Sequence, residues 1–217
     1  MFNLKNSKSR FDTAITQTTS GKKLNNLSDS PADMAYVLTM RSKIDQIDQF
    51  DRNIDSAYKM LSTSETALSQ TQNLLYSVTS LLEQGASETT DPAGRLMIAD
   101  RIDAIRDEMM NFANSEVMGK YAFSGSAIDT IPFTKAADTT DINGVVIPGV
   151  ITYGGNNDTM NTQADFSVQV GMNIPGDDVF GVGSATQTDI FDRLADITYA
   201  LRTDDTTQLG AYQSDMD

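Results

Sequence analysis

Large apolar residues recur every seven positions across residues 44–84, at Ile47, Ile54, Leu61, Leu68, Leu75 and Leu82. A second row follows three residues on, with Phe50, Ala57, Ser64, Thr71 and Val78. Together they form an a/d seam on a helix, and a sustained seven-residue repeat favours packing against other long helices. Ser64 and Thr71 interrupt the seam, so the pattern predicts a long bundle helix rather than a dimeric coiled coil. A third row, Met60, Ala67, Leu74 and Leu81, widens the apolar face and suggests more than one neighbour.

The helix start is written at Ser30-Pro31-Ala32-Asp33: Ser30 as N-cap, Pro31 at the first helical position and Asp33 as a shortened capping-box partner. The helix is expected to run to about Gln84. At 1.5 Å per residue that is roughly 80 Å, so an elongated molecule is expected. Upstream, residues 3–20 predict a helix of modest quality, with Leu4, Phe11 and Ile15 on one face and Gly21 just past its end. Asp91-Pro92 opens another helix, whose apolar positions Ile98, Ile102, Ile105, Met109 and Phe112 fit an antiparallel partner laid along the first.

From Tyr121 the texture changes. Short β-like runs at 145–147, 150–153 and 166–170 are separated by Asn143-Gly144, Pro148-Gly149, Gly154-Gly155-Asn156 and Pro175-Gly176-Asp177. Ile190, Leu194, Ile197 and Leu201 restore helical spacing, with Thr188 or Asp189 as cap. The last dozen residues are polar, and no long helix is expected there. The predicted fold is α+β: a bundle of long helices with an inserted small β-rich domain. Its parts are residues 1–120 (helical rod), 121–185 (β-rich domain) and 186–217 (a helix returning to the rod, cut short).

Charge and composition narrow the function. The net charge is -14 and uneven, since residues 121–217 hold 3 Lys/Arg against 14 Asp/Glu. Nucleic acid and anionic membrane are therefore not expected partners, because phosphate binding needs clustered Lys and Arg. There is no Cys and no His, which excludes disulfides and cysteine-ligated metals and removes the commonest general base. No run of ~18 apolar residues exists, so no membrane-spanning helix is expected. No cleavable secretory signal is visible at the N-terminus.

Candidate chemistry is thin. Asp45, Asp48, Asp51 and Asp55, then Asp100, Asp103 and Asp107, then Asp177-Asp178, could supply a carboxylate pair for a hydrolase. Nothing beside them marks a substrate cleft, and solvated helix faces and turns explain them better. Gly21-Lys22 lacks the remainder of a phosphate loop. Asn156 and Asp158 could contribute to a Ca2+ site, but a plain turn is the simpler reading. Met109, Met110 and Met118 read as core filler. No cofactor is expected, and no enzyme activity.

Several segments carry a family resemblance. Ser20-Gly21-Lys22-Lys23-Leu24-Asn25 with Ser28-Asp29-Ser30-Pro31, then Gln49-Phe50-Asp51-Arg52-Asn53-Ile54 and Ser64-Glu65-Thr66-Ala67-Leu68, resemble the conserved elements of bacterial flagellar axial proteins. In particular, Asn25, Asp29 and Pro31 mark the family's turn. Tyr121-Ala122-Phe123-Ser124-Gly125 with Pro132-Phe133, Tyr153-Gly154-Gly155-Asn156 and Gly176-Asp177-Asp178-Val179-Phe180 are similar to the hook-associated (FlgL-type) branch.

The resemblance implies a structural adaptor between hook and filament, exported through the flagellar channel to the cell exterior without a cleaved signal. Its implied partners are neighbouring copies of itself, other hook-associated proteins, flagellin and an export chaperone. The family's terminal helices pair as a coiled coil; here the first is short and the second missing, so a truncated, monomeric core is expected. The alternatives are a flagellin, or an adhesin whose β-rich domain binds a surface ligand.

Overall fold

The computed structural model describes residues 2–23, 30–182 and 189–216. Its first helix, α1 (Phe2–Ser20), stops at Gly21, whose φ of +64° is open to glycine without strain. The long helix α2 (Pro31–Ala86) starts where the caps place it. Ser30 Oγ donates to Asp33 Oδ2 at 2.8 Å, and the Ser30 carbonyl accepts from Met34 N at 2.9 Å. α3 (Pro92–Ala113) follows, with Asp91 Oδ1 accepting from Gly94 N at 2.9 Å.

Four two-stranded antiparallel ladders come next. β1 (Glu116–Val117) pairs with β2 (Lys120–Tyr121), and β3 (Phe133–Lys135) with β6 (Ile151–Tyr153). β4 (Thr139–Thr140) pairs with β5 (Val146–Ile147), nested inside that pair, and β7 (Asn161–Asp165) with β8 (Val168–Gly171). The chain closes with α4 (Gly176–Phe180), α5 (Ile190–Arg202) and α6 (Thr206–Met216). Long helices with small antiparallel ladders make an α+β fold.

Two compact units result, Met1–Arg52 and Asn53–Asp217. The first holds α1 and residues 31–52 of α2; Leu4, Phe11, Ile15, Tyr36, Leu38 and Ile44 are all exposed there. The second holds the main core. Within it α3 packs most closely on α5, and Met60, Ala67, Val78 and Leu82 of α2 join the same buried cluster.

The pairing of α3 with α5 is held by charge as well as apolar surface. Arg202 Nη2 reaches Asp100 at 2.9 Å and Asp103 at 2.7 Å. Where α2 turns into α3, Arg95 Nε donates to the Gly85 carbonyl at 2.9 Å and Nη2 to that of Ser87 at 3.1 Å, with Nη1 on Asp204. The Gly85 carbonyl belongs to the last turn of α2, where carbonyls lack an intrahelical donor, so the buried arginine serves as its C-terminal cap.

The C-terminal residues, polar and with no long helix expected, form the short α6: Asp205 Oδ1 accepts from Gln208 N at 3.1 Å, and Leu209 is buried. One expectation changes. Met118, read as core filler, is exposed at the tip of the β1–β2 hairpin, where it and Gly119 both have positive φ, as a type I′ turn requires. Asn25 and Asp29 lie outside the described residues.

Candidate functional site

The four segments quoted from residues 121–180 are scattered along the sequence, yet they meet in one place. Phe133, Phe180 and Phe191 lie within 5.1–5.7 Å of one another, centroid to centroid. Phe123 meets Phe180 edge-on at 5.5 Å, and Tyr153 lies 5.2 Å from Phe133. Each such pair adds about 0.5–1.5 kcal/mol beyond the area it buries.

Polar bonds stitch the same knot. Tyr153 Oη is 2.8 Å from the Phe123 carbonyl, 3.0 Å from that of Asn156 and 3.3 Å from Gly176 N, which it accepts from. Gly176 N also donates to the Phe123 carbonyl at 2.9 Å. A Cβ on Gly176 would lie 2.7 Å from Phe133 Cζ, so only glycine fits that approach. Gly125, at φ +69°, is equally constrained by the Asn156 carbonyl. Burial pushes the Tyr153 hydroxyl above its ordinary pKa. These motif residues therefore hold a fold junction together.

The junction is anchored to the helices by two side chains that sequence reasoning did not single out. Asn114, just past α3, donates from Nδ2 to the Phe133 carbonyl and accepts from Phe133 N, both at 2.9 Å. Arg106, on α3, is fully buried; it donates from Nε to the Phe191 carbonyl at 2.9 Å and from Nη2 to the Gly149 carbonyl at 2.8 Å. Burial lowers its pKa, opposed by the carboxylates of Asp103, Asp107, Asp192 and Asp138. No pattern in the sequence marks a buried arginine, because the residue type is normally exposed.

Acidic side chains mostly serve structure. Lys135 Nζ pairs with Asp107 at 2.9 Å and with Asp138 at 3.4 Å. Gly149 N donates to Asp138, which holds that carboxyl below its usual range. Asp45, Asp48, Asp51 and Asp55 are exposed along α2. Asp177 accepts from Asn157, and Asp178 is exposed. Asn156 Oδ1 accepts from Ser126 N at 2.8 Å, and Asp158 Oδ2 from Ser126 Oγ at 2.9 Å, so both tie their segment to Ser126. Among the described residues no group of three or more His, Cys, Asp or Glu is placed to hold a metal ion.

The predicted seam divides. Leu82, Ile98, Ile102, Ile105 and Met109 are buried; Leu61, Leu68, Leu75 and Phe112 are partly buried. Ile47 and Ile54 are 48% and 45% exposed, so they are not core of this chain. Pro31, at the start of α2, is exposed. The buried stripe of α2 is rotated from the large-residue row toward Ala57, Met60, Ser64, Ala67, Thr71, Val78, Leu82 and Gly85. Short side chains at the middle of a contact are sealed by their neighbours, while longer ones at its margin keep their tips in water. Ser64 meets its polar requirement within the helix, donating to the Met60 carbonyl at 3.0 Å.

A family model for the bacterial flagellin N-terminal helical region matches residues 1–127. The chain belongs to the bacterial flagellin family. Flagellin-family relatives include flagellar hook-associated protein 3 of Escherichia coli (strain K12), 24% identical over 198 residues, covering 86% of this chain and 58% of the relative. A flagellin of Clostridium tyrobutyricum is 25% identical over 131 residues, covering 60% of this chain and 35% of the relative. The crystal structure of Xanthomonas campestris FlgL superposes with a TM-score of 0.56 at 26% identity, covering 64% of this chain and 42% of that one. This flagellin-family chain thus spans little more than half the length of the E. coli protein. No helix among its described residues is long and apolar enough to cross a membrane.

Proposed function

We propose that this chain is a structural, non-catalytic adaptor of the bacterial flagellum at the hook–filament junction. It assembles by helical-bundle contacts with neighbouring copies of itself, other hook-associated proteins and flagellin. In this reading residues 1–120 and 186–217 supply the helical contacts, and 121–185 form the β-rich part. Export through the flagellar channel, without a cleaved signal and with the help of a chaperone, delivers it to the cell exterior.

One observation carries the reading. The likeness to E. coli hook-associated protein 3 extends over 86% of the chain. Likenesses to flagellins, which favour a filament subunit as the second reading, extend over 59–77%. The half-exposed Ile47 and Ile54 give the bundle apolar surface to offer a neighbour.

Electron microscopy of a strain lacking the gene tests both. Intact hooks with filaments shed into the medium are the expected result. Normal filaments, or absent hooks, overturn the junction role. Intact hooks with no filament protein outside the cell favour the filament subunit.

A further inference from the structure

Asn143-Gly144 is the one place in the sequence where glycine follows asparagine. It sits in the loop joining β4 to β5, and Asn143 and Gly144 are both exposed. Gly144 has φ +79°, and nothing lies within 4 Å of the position its missing Cβ would take. Residue 144 itself therefore carries no side chain to shield its backbone nitrogen, and the space where a Cβ would stand is open. That nitrogen's hydrogen bond, to the Asp141 carbonyl at 3.1 Å, lies at an exposed turn that opens at low cost.

We propose that Asn143 is a self-modification site, converted by its own backbone to aspartate and isoaspartate. The Gly144 nitrogen attacks Asn143 Cγ, and the new N–Cγ bond closes a five-membered imide. The Cγ–Nδ2 bond breaks, and Nδ2 leaves as ammonia with the proton given up by the Gly144 nitrogen. Water then opens one of the two imide C–N bonds. Opening at Cγ returns an ordinary aspartyl residue; opening at the main-chain carbonyl leaves the chain running through the side-chain carbon. No oxidant, metal or partner is consumed.

The other asparagines with assigned roles are protected by comparison. Asn173 is buried, with Oδ1 accepting from Met160 N at 2.7 Å and Nδ2 donating to the Asp158 carbonyl at 3.1 Å, and the bulky Ile174 follows it. Asn114 is held at both ends by Phe133.

The reaction has a structural target. Asp141 organises this loop: its Oδ1 accepts from Asn143 N and Val145 N, both at 2.8 Å, and its Oδ2 accepts from Tyr199 Oη of α5 at 3.2 Å. Asn143 Nδ2 approaches the same Oδ2 at 3.5 Å. Conversion replaces that donor with an anionic oxygen beside an existing carboxylate. The isoaspartyl form also lengthens the loop backbone, shifting the two N–H groups that Asp141 holds. The loop's tie to α5 is thereby weakened.

The test is a time course of the full chain in mildly alkaline buffer, followed by peptide mapping with mass spectrometry and isoaspartate detection. Asn143→Asp marks the position of one product, and Asn143→Ser removes the reacting amide. The expected result is conversion at Asn143 about tenfold or more faster than at any other asparagine, since only glycine leaves the attacking nitrogen unhindered. The Asn143→Ser chain should yield no isoaspartate in that peptide. An intact Asn143 peptide at the end of the time course, or equal conversion at other asparagines, overturns the proposal.

Discussion

Arg106 Nε donates to the main-chain carbonyl of Phe191 at 2.9 Å, deep in the core and 85 residues away in sequence. The same guanidinium caps the Gly149 carbonyl. One side chain on α3 thus satisfies backbone acceptors from α5 and from the segment before β6. Leaving each buried acceptor without a donor costs about 1–3 kcal/mol. Arg106→Met, which keeps most of the volume, should lower unfolding stability by about 2–5 kcal/mol. Urea denaturation reads this directly. An unchanged midpoint would show that water or rearranged backbone replaces the arginine without penalty.

Gly176 offers a packing test. An added methyl would meet Phe133 Cζ at 2.7 Å and the Phe123 carbonyl at 2.9 Å. Gly176→Ala should destabilise by about 1–3 kcal/mol through overpacking. The near-ultraviolet circular dichroism of the aromatic cluster should change with it, since the knot must open to admit the methyl. A variant as stable as the parent, with the same spectrum, would sink the structural reading of this motif.

The divided seam makes a contrast on one helix. Leu82 is fully buried, so Leu82→Ala should cost about 2–5 kcal/mol. Ile54→Ser, at a half-exposed position, should cost less than about 1 kcal/mol in the isolated chain. If the exposed row contacts neighbouring subunits, Ile54→Ser should still impair motility when carried in the cell. Soft-agar swarming measures that; normal swarming would remove this row from the interface.

Two groups of carboxylates set opposing pH trends. Asp138 is held below its ordinary pKa, chiefly by the Gly149 N–H, so its stabilisation is present above the unfolded-state value and lost as pH falls through the folded one. Asp196 is shifted upward, first by burial and then by Asp192. For that group the folded state binds its proton more tightly, so stability falls as pH rises from the unfolded value through the folded one. Asp196→Asn should therefore raise the melting temperature at neutral pH. The gain should vanish in acid, where the parent carboxyl is protonated in both states. Melting curves across the carboxylate range check the sign.

Helix starts were legible because their caps are local: Ser30-Pro31, Asp91-Pro92 and Asp189 each satisfy end groups within three or four residues. Strands were half legible. Residues 146–147, 151–153 and 168–170 fall in β-like runs, whereas their partners Thr139–Thr140, Phe133–Lys135 and Asn161–Asp165 are mostly polar, and only the tertiary ladder reveals their pairing. α6 hid behind polar composition, since among its described side chains Leu209 alone is buried. The motif residues could be picked out by likeness, but their convergence could not. That required Phe123, Phe133, Tyr153 and Phe180 to be brought together although the first and last stand 57 positions apart.

The choice of side chains on α2 separates two jobs that usually compete. Where the helix leans on its own chain it sets the small Ala57, Ser64, Ala67 and Thr71 among Met60, Val78 and Leu82. Its isoleucines at 47 and 54 are left out of that internal work. A chain built this way packs its core without them and keeps apolar surface in reserve at those two positions.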